Sequence, residues 1–364
     1  MNRIFRATST ASLLVAAFLM MGCGKAEKPL PEWPWADPEP ETEQPEKPEE
    51  KPDQPEEKPD QPAERTEWTD VTSEFGKLPE HIKIWKSPDK LEGKKANAYI
   101  ADADMSKAHL DLWSIDVPNY QGTTEKLMTP GEVYNKDKSA VVINAGFFYS
   151  SDGKNYSSSL ALEDSKYLAY NINYASQDWV VMYYPTRAAF IKDKDGKYTA
   201  WWNYYNGNDK KHYFYASPAK NNWDSDPLAV PSATFPVNAE KLEPVWGIGG
   251  GPLLLKEGKI HDTFVEELFN GKTGIGPDSD QPRTAVGVTA KNHILFFVCE
   301  GRNSKEGIKG LTTGDVAKVL KERGCIEAIN LDGGGSTCML VNGKETVKVS
   351  DGSQRRVGST LMLK

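Results

Sequence analysis

Residues 328–340 read Ala-Ile-Asn-Leu-Asp-Gly-Gly-Gly-Ser-Thr-Cys-Met-Leu, and three consecutive glycines join two apolar runs. Glycine adopts backbone angles closed to other residues and lets a ligand approach the main chain closely. The pattern therefore predicts a strand, a tight bend and a second strand. The amide of Asn330 and the carboxylate of Asp332 precede the bend. The hydroxyls of Ser336 and Thr337 follow it, so the bend suits a sugar or phosphate ligand better than a core.

A helix is predicted directly before this unit, over Thr313 to Arg323. Thr312 can cap its first turn, with Asp315 three residues on in the manner of a capping box. Gly324 can end it, because glycine is the usual residue just past a helix C-terminus.

This helix separates two predicted strands, 294–299 and 326–331. If those strands run parallel, their carboxyl ends emerge at the same edge of a sheet. Glu300 and Asp332 follow those ends, and Arg302 lies close behind. We therefore expect these three side chains, together with Asn330 and the glycine bend, to surround one crevice.

The rest of the folded part is predicted to be rich in short strands. Lys291-Asn292 and Asn342-Gly343 are typical of hairpin turns. The aromatic segment 200–245 is interpreted as an insertion packed on the core. Residues 66–364 are thus predicted to form one α+β domain with mixed, largely antiparallel sheets, a few helices and an active crevice at glycine-rich strand ends. Further strands are expected at 98–101, 109–115, 140–143, 179–184 and 285–288.

Residues 1–22 have the pattern of a bacterial lipoprotein signal peptide. Arg3 and Arg6 precede a short apolar stretch, 11–21, that is too short to span a bilayer. Gly22-Cys23 follows it, so we expect cleavage before Cys23 and lipid on its thiol, anchoring the protein to the membrane of the cell envelope. An ordinary secretory signal with a free thiol is the alternative.

Residues 23–65 are predicted to be a disordered tether. From position 26 to 65 the chain is mainly Pro, Glu, Lys, Asp and Gln, which cannot bury enough apolar surface to fold. This tail holds 14 acidic residues against 5 basic ones, whereas the whole chain has a net charge of −8. The folded part is therefore nearly neutral, which argues against a nucleic-acid partner.

The remaining cysteines are few and give no metal pattern. Cys299 ends an apolar run and is expected to be a buried thiol. Cys325 and Cys338 flank the bend region and could pair in an oxidising compartment. The chain has no Cys-x-x-Cys and its five histidines are scattered, so neither a metal nor another cofactor is expected.

Four further motifs accompany the bend, and together, in this order, the five resemble the phosphodiester glycosidase family over residues 95–364. The resemblance implies a hydrolase that cleaves a sugar-1-phosphodiester, such as an N-acetylglucosamine-1-phospho-6-mannose linkage, to free sugar and phosphomonoester. Its partner would be a carbohydrate phosphodiester in extracellular or periplasmic glycans, including exopolysaccharide. A non-catalytic glycan-binding lipoprotein and a polysaccharide phosphoesterase remain as alternatives. The motifs are Asn144-Ala145-Gly146-Phe147-Phe148, Gly249-Gly250-Gly251-Pro252, Pro282-Arg283-Thr284 and Glu300-Gly301-Arg302.

Substrate and phosphate binding is predicted for a wider set of residues. Arg283 and Arg302 can grip phosphate through bidentate hydrogen bonds, and an unpaired Arg283 in an apolar strand would be costly. The late arginine of the family corresponds to Arg355, although Arg356 beside it leaves that assignment open. The full set is Asn144, Gly146, Gly250, Gly251, Arg283, Arg302, Asn330, Gly333, Gly334, Gly335, Ser336, Thr337 and Arg355.

Three carboxylates are candidates for the catalytic nucleophile or base: Asp332, Glu300 and Asp315. Asp332 is favoured, because the bend would project it into the crevice. Each has a structural alternative: Asp332 as a turn cap, Asp315 as a helix cap, and Glu300 as an ion-pair partner of Arg302 or Arg323. The N–H groups of residues 333–336 are expected to form an anion-binding nest, and Asn144 and Asn330 to orient sugar hydroxyls.

Overall fold

The computed structural model describes residues 65–117, 121–271 and 274–364. The predicted signal peptide, the lipidation site Cys23 and all but the last residue of the predicted tether lie outside these residues. In the described part of the chain, no helix has the length and apolar character needed to cross a membrane.

Strands dominate the described residues, with two α-helices among them. The helices are α1 (Pro130–Asp137) and α2 (Thr313–Glu322). The strands are β1 (Thr69–Asp70), β2 (Ile82–Lys86), β3 (Lys90–Leu91), β4 (Lys94–Lys95), β5 (Ala98–Asp104), β6 (Leu110–Ser114), β7 (Val141–Asn144), β8 (Phe148–Ser151), β9 (Lys154–Ser157), β10 (Ala161–Glu163), β11 (Lys166–Ala169), β12 (Arg187–Asp193), β13 (Tyr198–Asn206), β14 (Lys211–Tyr215), β15 (Pro244–Gly249), β16 (Leu253–Lys256), β17 (Lys259–Ile260), β18 (Arg283–Thr289), β19 (His293–Cys299), β20 (Cys325–Asn330), β21 (Met339–Val341), β22 (Lys344–Glu345) and β23 (Ser359–Leu363).

These strands form three sheets and two separate hairpins, β3–β4 and β8–β9. The sheet orders are β1-β2-β5-β19-β18-β20-β16-β17, β11-β10-β15-β12-β13-β14 and β22-β21-β7-β23-β6. Every pairing among the described strands is antiparallel. The prediction of largely antiparallel sheets is confirmed. The α+β class gave the helices too much weight, because this fold is β-rich.

The unit around the glycine bend forms largely as predicted. Helix α2 has the capping box of Thr312 and Asp315, and Gly324 adopts a positive φ of 86° just past its end. Strands β19 and β20 both pair antiparallel with β18, so they run in the same direction with β18 between them. Their carboxyl ends consequently emerge at one edge of the sheet.

The strand predicted at 179–184 is wrong. Asp178 Oδ1 accepts hydrogen bonds from the backbone N–H groups of Val180 and Val181, at 2.8 and 2.9 Å. Ser176 Oγ accepts one from the N–H of Trp179, which has a positive φ of 63°. Short polar side chains thus turn the backbone here, and Val180 is left 81% exposed.

The aromatic segment 200–245 contributes strands rather than only a packed insertion. Its strand β14 lies at one edge of the six-stranded sheet and β11 lies at the other. The rings of His212 on β14 and Tyr167 on β11 nevertheless stack, with centroids 3.7 Å apart and planes 4° apart. The sheet therefore curls until its two edges meet through aromatic rings, with Tyr170 and Tyr205 packed against the same histidine.

All three sheets contribute to one core. Its largest cluster includes Phe296 from the first sheet, Trp202 from the second and Leu361 from the third. The three described cysteines are buried free thiols. Cys325 and Cys338 belong to different apolar clusters, so the disulfide considered from the sequence does not form.

Candidate active site

A crevice of about 320 Å³ opens where the glycine bend leaves strand β20. Its charged lining consists of one carboxylate, Asp332, and three guanidinium groups. A single carboxylate among several arginines favours an anionic ligand over a cation. The lining residues are Phe147, Phe148, Tyr149, Ser150, Gly274, Ile275, Gln281, Arg302, Asn330, Leu331, Asp332, Gly333, Gly334, Arg355 and Arg356.

Backbone hydrogen bonds hold Asp332 at the crevice wall. Its N–H donates to the carbonyl of Ala145 at 2.9 Å, and its carbonyl accepts from Asn144 Nδ2 at 2.6 Å. Asn144 Oδ1 also accepts from Thr284 Oγ1 and from the N–H of Cys338. The expectation that Asn144 orients sugar hydroxyls is therefore corrected: this fully buried amide joins three segments of the protein and does not line the crevice.

The three glycines of the bend are needed for different reasons. A Cβ on Gly333 would lie 2.7 Å from the carbonyl oxygen of Pro282, and Gly334 has a positive φ of 56°. A Cβ on Gly335 would overlap the side chains of Asp351 and Arg355. A side chain is therefore disfavoured by a backbone contact at Gly333, by the backbone conformation at Gly334 and by the Asp351–Arg355 pair at Gly335.

The predicted anion nest is smaller than expected. The N–H of Gly334 donates to Pro282, that of Ser336 to Gly333, and that of Thr337 to Gly334. The Ser336 and Thr337 donors close a single 3₁₀ turn, and the Gly334 donor is taken by Pro282. At most the N–H groups of Gly333 and Gly335 are therefore left for an anion. Ser336 and Thr337 are buried and outside the crevice lining.

The second glycine motif, Gly249-Gly250-Gly251-Pro252, packs against Asn330 and exchanges hydrogen bonds with it. Asn330 Nδ2 donates to the carbonyls of Gly251 and Leu331, each at 2.8 Å, and the N–H of Gly251 returns a bond to the carbonyl of Asn330. A Cβ on Gly250 would overlap that same carbonyl. Gly250 and Gly251 are therefore packing positions. Asn330 does line the crevice, although its Oδ1 is buried without a partner among the described residues.

Gly146 is also a packing position. Its N–H donates to Ser359 Oγ at 2.9 Å, and a Cβ there would lie 2.6 Å from that of Ser159. The residue lies behind the crevice rather than in its lining.

The prediction that Arg283 grips phosphate directly is corrected by its surroundings. The side chain is buried, and burial lowers its pKa to about 10. Its guanidinium donates to four backbone carbonyls, those of Leu311, Ile275, Gly276 and Ser279. Arg283 thus fastens the loop that brings Gly274, Ile275 and Gln281 to the crevice.

Glu300 and Asp315 do not line the crevice either. Glu300 is buried and accepts hydrogen bonds from Asn97 Nδ2 at 2.7 Å and Asn303 Nδ2 at 2.5 Å, so its partners are amides rather than the predicted arginines. Asp315 caps α2 and forms an ion pair with Lys94 at 2.6 Å. Burial alone would raise the pKa of Asp315, but Lys94 and the cap hold that pKa below its ordinary value. Of the three predicted carboxylates, Asp332 is the one that lines the crevice.

The three arginines are fixed by polar side chains around the rim. Arg302 Nε donates to Gln281 Oε1 at 2.8 Å, and Arg355 pairs with Asp351 at 2.6 Å. Arg356 pairs with Glu132 at 2.7 Å. Both late arginines line the crevice. The sequence left open which of Arg355 and Arg356 lies at the site, and in the structure both do.

Sequence reasoning missed one wall of the crevice, the β8–β9 hairpin. Tyr149 lines the crevice and stacks on Tyr156, with ring centroids 4.7 Å apart and planes 4° apart. Burial raises the pKa of Tyr149 to about 12, so its hydroxyl stays protonated at neutral pH. The period-2 alternation that would mark a strand is weak in these short segments, which is why the pattern gave no signal.

Across the described residues, no group of three or more His, Cys, Asp or Glu side chains is arranged to hold a metal ion. The expectation of a metal-free site stays a prediction.

The sequence and the fold both resemble known proteins. Residues 137–364, more than half of the chain, match the family described as phosphodiester glycosidase. The chain therefore belongs to the phosphodiester glycosidase family. A crystal structure of a hypothetical protein from Synechocystis shares the fold, with a TM-score of 0.51 and 17% identity over 79% of this chain and 64% of that one.

Two kinds of curated relative match shorter segments. The mouse N-acetylglucosamine-1-phosphodiester alpha-N-acetylglucosaminidase is 35% identical over 110 residues, 30% of this chain and 20% of the relative. The SPbeta prophage-derived uncharacterized protein YomE of Bacillus subtilis is 35% identical over 82 residues, 22% of this chain and 12% of the relative. The chain thus matches a fifth or less of the length of these relatives.

Proposed function

We propose that this protein hydrolyses a sugar-1-phosphodiester, such as an N-acetylglucosamine-1-phosphodiester, to free sugar and phosphomonoester. The observation that carries the proposal is the single carboxylate, Asp332, in a crevice lined by three arginines. Membership of the phosphodiester glycosidase family and the activity for which the mouse relative is named support it.

The chemistry follows from the charges in the crevice. The substrate phosphate is an anion, and the arginines bind it through charge-assisted hydrogen bonds. When the bond from the anomeric carbon to oxygen breaks, the phosphate leaves as a weak base and needs little proton donation. The sugar carbon gains positive character, which the Asp332 carboxylate stabilises, either as nucleophile or as base for the attacking water. Water supplies the new anomeric hydroxyl.

The position of bond cleavage tests this proposal. The purified soluble fragment is incubated with an N-acetylglucosamine-1-phosphodiester in oxygen-18 water, and both products are analysed by mass spectrometry. We expect the label in the sugar hydroxyl and none in the phosphomonoester. Label in the phosphate would instead indicate a phosphoesterase. Tight binding without turnover would indicate a glycan-binding lipoprotein.

The cellular location is a second part of the proposal. We infer from the Gly22-Cys23 junction and the proline-rich tail that the protein is lipid-anchored in the bacterial cell envelope and acts on glycans there. Metabolic labelling with a palmitate analogue tests this. The parent should be labelled and Cys23→Ala should not; an unlabelled parent would refute the anchor.

A further inference from the structure

A second crevice, of about 470 Å³, lies beside the first and shares one wall with it. The shared residue is Arg356, which lines both. Helix α1 and strand β6 supply much of the remaining lining, which consists of Trp113, Glu125, Lys126, Leu127, Met128, Glu132, Asn135 and Lys136.

Hydrogen bonds join the shared wall to the start of helix α1. Arg356 Nη1 donates to Glu132 Oε2 at 2.7 Å and to the carbonyl of Leu127 at 2.9 Å, and Nη2 donates to Glu132 Oε1 at 2.7 Å. Glu132 in turn belongs to the capping box at the start of α1. An isolated β-bridge between Met128 and Val357 joins the same two segments. The segment that carries Arg356 is thus attached to α1 at the boundary between the two crevices.

We propose that the second crevice binds the sugar residues on the alcohol side of the phosphodiester, so that the substrate is a phosphate-linked oligosaccharide or polysaccharide. This assignment rests on the proposed function. A phosphodiester has two arms, and a phosphate held by the three arginines of the first crevice lies next to Arg356. One arm is the sugar that is released. The other arm must extend from the phosphate past Arg356, where the second crevice begins.

The lining has the chemistry that a sugar needs. Trp113 is partly exposed and packs against two apolar clusters, so its indole is a firm surface on which a pyranose ring can stack. Lys126, Asn135 and Lys136 are exposed side chains that can hydrogen-bond to hydroxyls. Glu132 is paired with Arg356, and the two lysines outnumber the remaining carboxylate, Glu125. The crevice therefore has a slight positive charge that favours an anionic glycan.

Binding of a product-like ligand tests the assignment without requiring turnover. Isothermal titration calorimetry compares a mannose disaccharide bearing a 6-phosphate with methyl phosphate, which fills only the phosphate position. The parent should bind the disaccharide phosphate roughly tenfold more tightly or better, because sugar contacts add at least about 1.4 kcal/mol. Trp113→Ala should remove that difference and leave methyl phosphate binding unchanged.

Asn135→Trp provides a second variant, because Trp113 also packs on the core and its loss could disturb folding. Asn135 is an exposed residue of α1, so a tryptophan there fills the crevice without entering the core. It should likewise abolish the preference for the disaccharide. Trp179→Ala is the matched control, since Trp179 is 43% exposed and lines neither crevice; it should keep the preference.

The assignment is overturned if the parent binds the two ligands equally, if the preference survives in Asn135→Trp, or if both crevice variants weaken methyl phosphate binding as much as disaccharide binding. Hydrolysis is measured separately. If the disaccharide preference is present but no phosphodiester is cleaved, the proposed function fails and the crevice assignment stands. If short and long phosphodiesters are cleaved equally well and the preference is absent, the crevice assignment alone fails.

Discussion

Replacing His212 by phenylalanine should make the protein more resistant to acid. His212 stacks on Tyr167, and neither of its ring nitrogens has a hydrogen-bond partner among the described residues. Burial lowers its pKa from 6.5 to about 3, because a charged imidazolium would lose its hydration there. Phenylalanine keeps the flat ring and removes the titration.

The direction of the pH effect on stability follows from how many protons His212 binds in the folded and in the unfolded chain. Between pH 6.5 and about 3, the unfolded chain binds a proton at His212 and the folded chain does not. The neutral histidine therefore costs stability progressively as pH falls below 6.5. From pH 7 to pH 5 the expected loss is about 2 kcal/mol, at about 1.4 kcal/mol per pH unit below the unfolded pKa.

Urea denaturation at pH 7 and pH 5 gives the change in the free energy of unfolding between the two pH values for the parent and for His212→Phe. The difference between these two changes is the double difference that tests the prediction. The variant should gain about 2 kcal/mol relative to the parent at the lower pH. Tyr167→Phe is the control, because it alters the stacking partner of His212 without removing a group that titrates between pH 5 and pH 7, and its double difference should stay within about 0.5 kcal/mol. A His212→Phe value that is no larger than the control would refute the reasoning.

Four further outcomes are expected. Asp332→Asn should lower kcat by two to three powers of ten, about 3–4 kcal/mol, with little change in KM; a steady-state kcat within tenfold of the parent would assign Asp332 to the turn alone. Arg283→Ala should lower the free energy of unfolding in urea by about 3 kcal/mol or more and should speed proteolysis at 274–281, because four carbonyls lose their donor; unchanged cleavage would contradict the anchoring role. Gly335→Ala should separate Arg355 from Asp351 and raise KM severalfold, and parent-like kinetics would show that the overlap is relieved without cost. Removing residues 1–64 should leave the melting temperature unchanged, since the predicted tether has no apolar pattern; a fall of several degrees by calorimetry would count against it.

Sequence reasoning succeeded where the signal is local. Thr312, Asp315 and Gly324 lie within one helix and its ends, and they set its limits in the structure as the pattern predicted. Asn292 and Asn342 adopt the positive φ that their hairpin turns require. In each case a residue contacts its neighbours in the chain, so spacing carries the information.

Roles that depend on distant partners were beyond the sequence. Arg283 and Glu300 have the right chemistry for an active site. In the structure, however, Arg283 hydrogen-bonds to loop carbonyls and Glu300 to side-chain amides. The partner of Glu300, Asn97, is 203 positions away in the chain. Asn144 was placed at the substrate for the same reason, although it fastens the backbone of Asp332. A buried polar side chain and a catalytic one look alike until their partners are known.

The position of β23 has a consequence for how the protein reaches its native state. This strand lies between β6 and β7, and Leu363 pairs with both Leu110 and Val141. The five-stranded sheet therefore cannot form completely until residues 359–363 have been synthesised. Until then, one edge of β7 has no partner strand and its apolar residues stay exposed to solvent. Pairings so distant in sequence make folding slow and leave intermediates prone to aggregation. Because β7 ends at Asn144, which holds Asp332, catalytic competence should be among the last properties to appear during refolding.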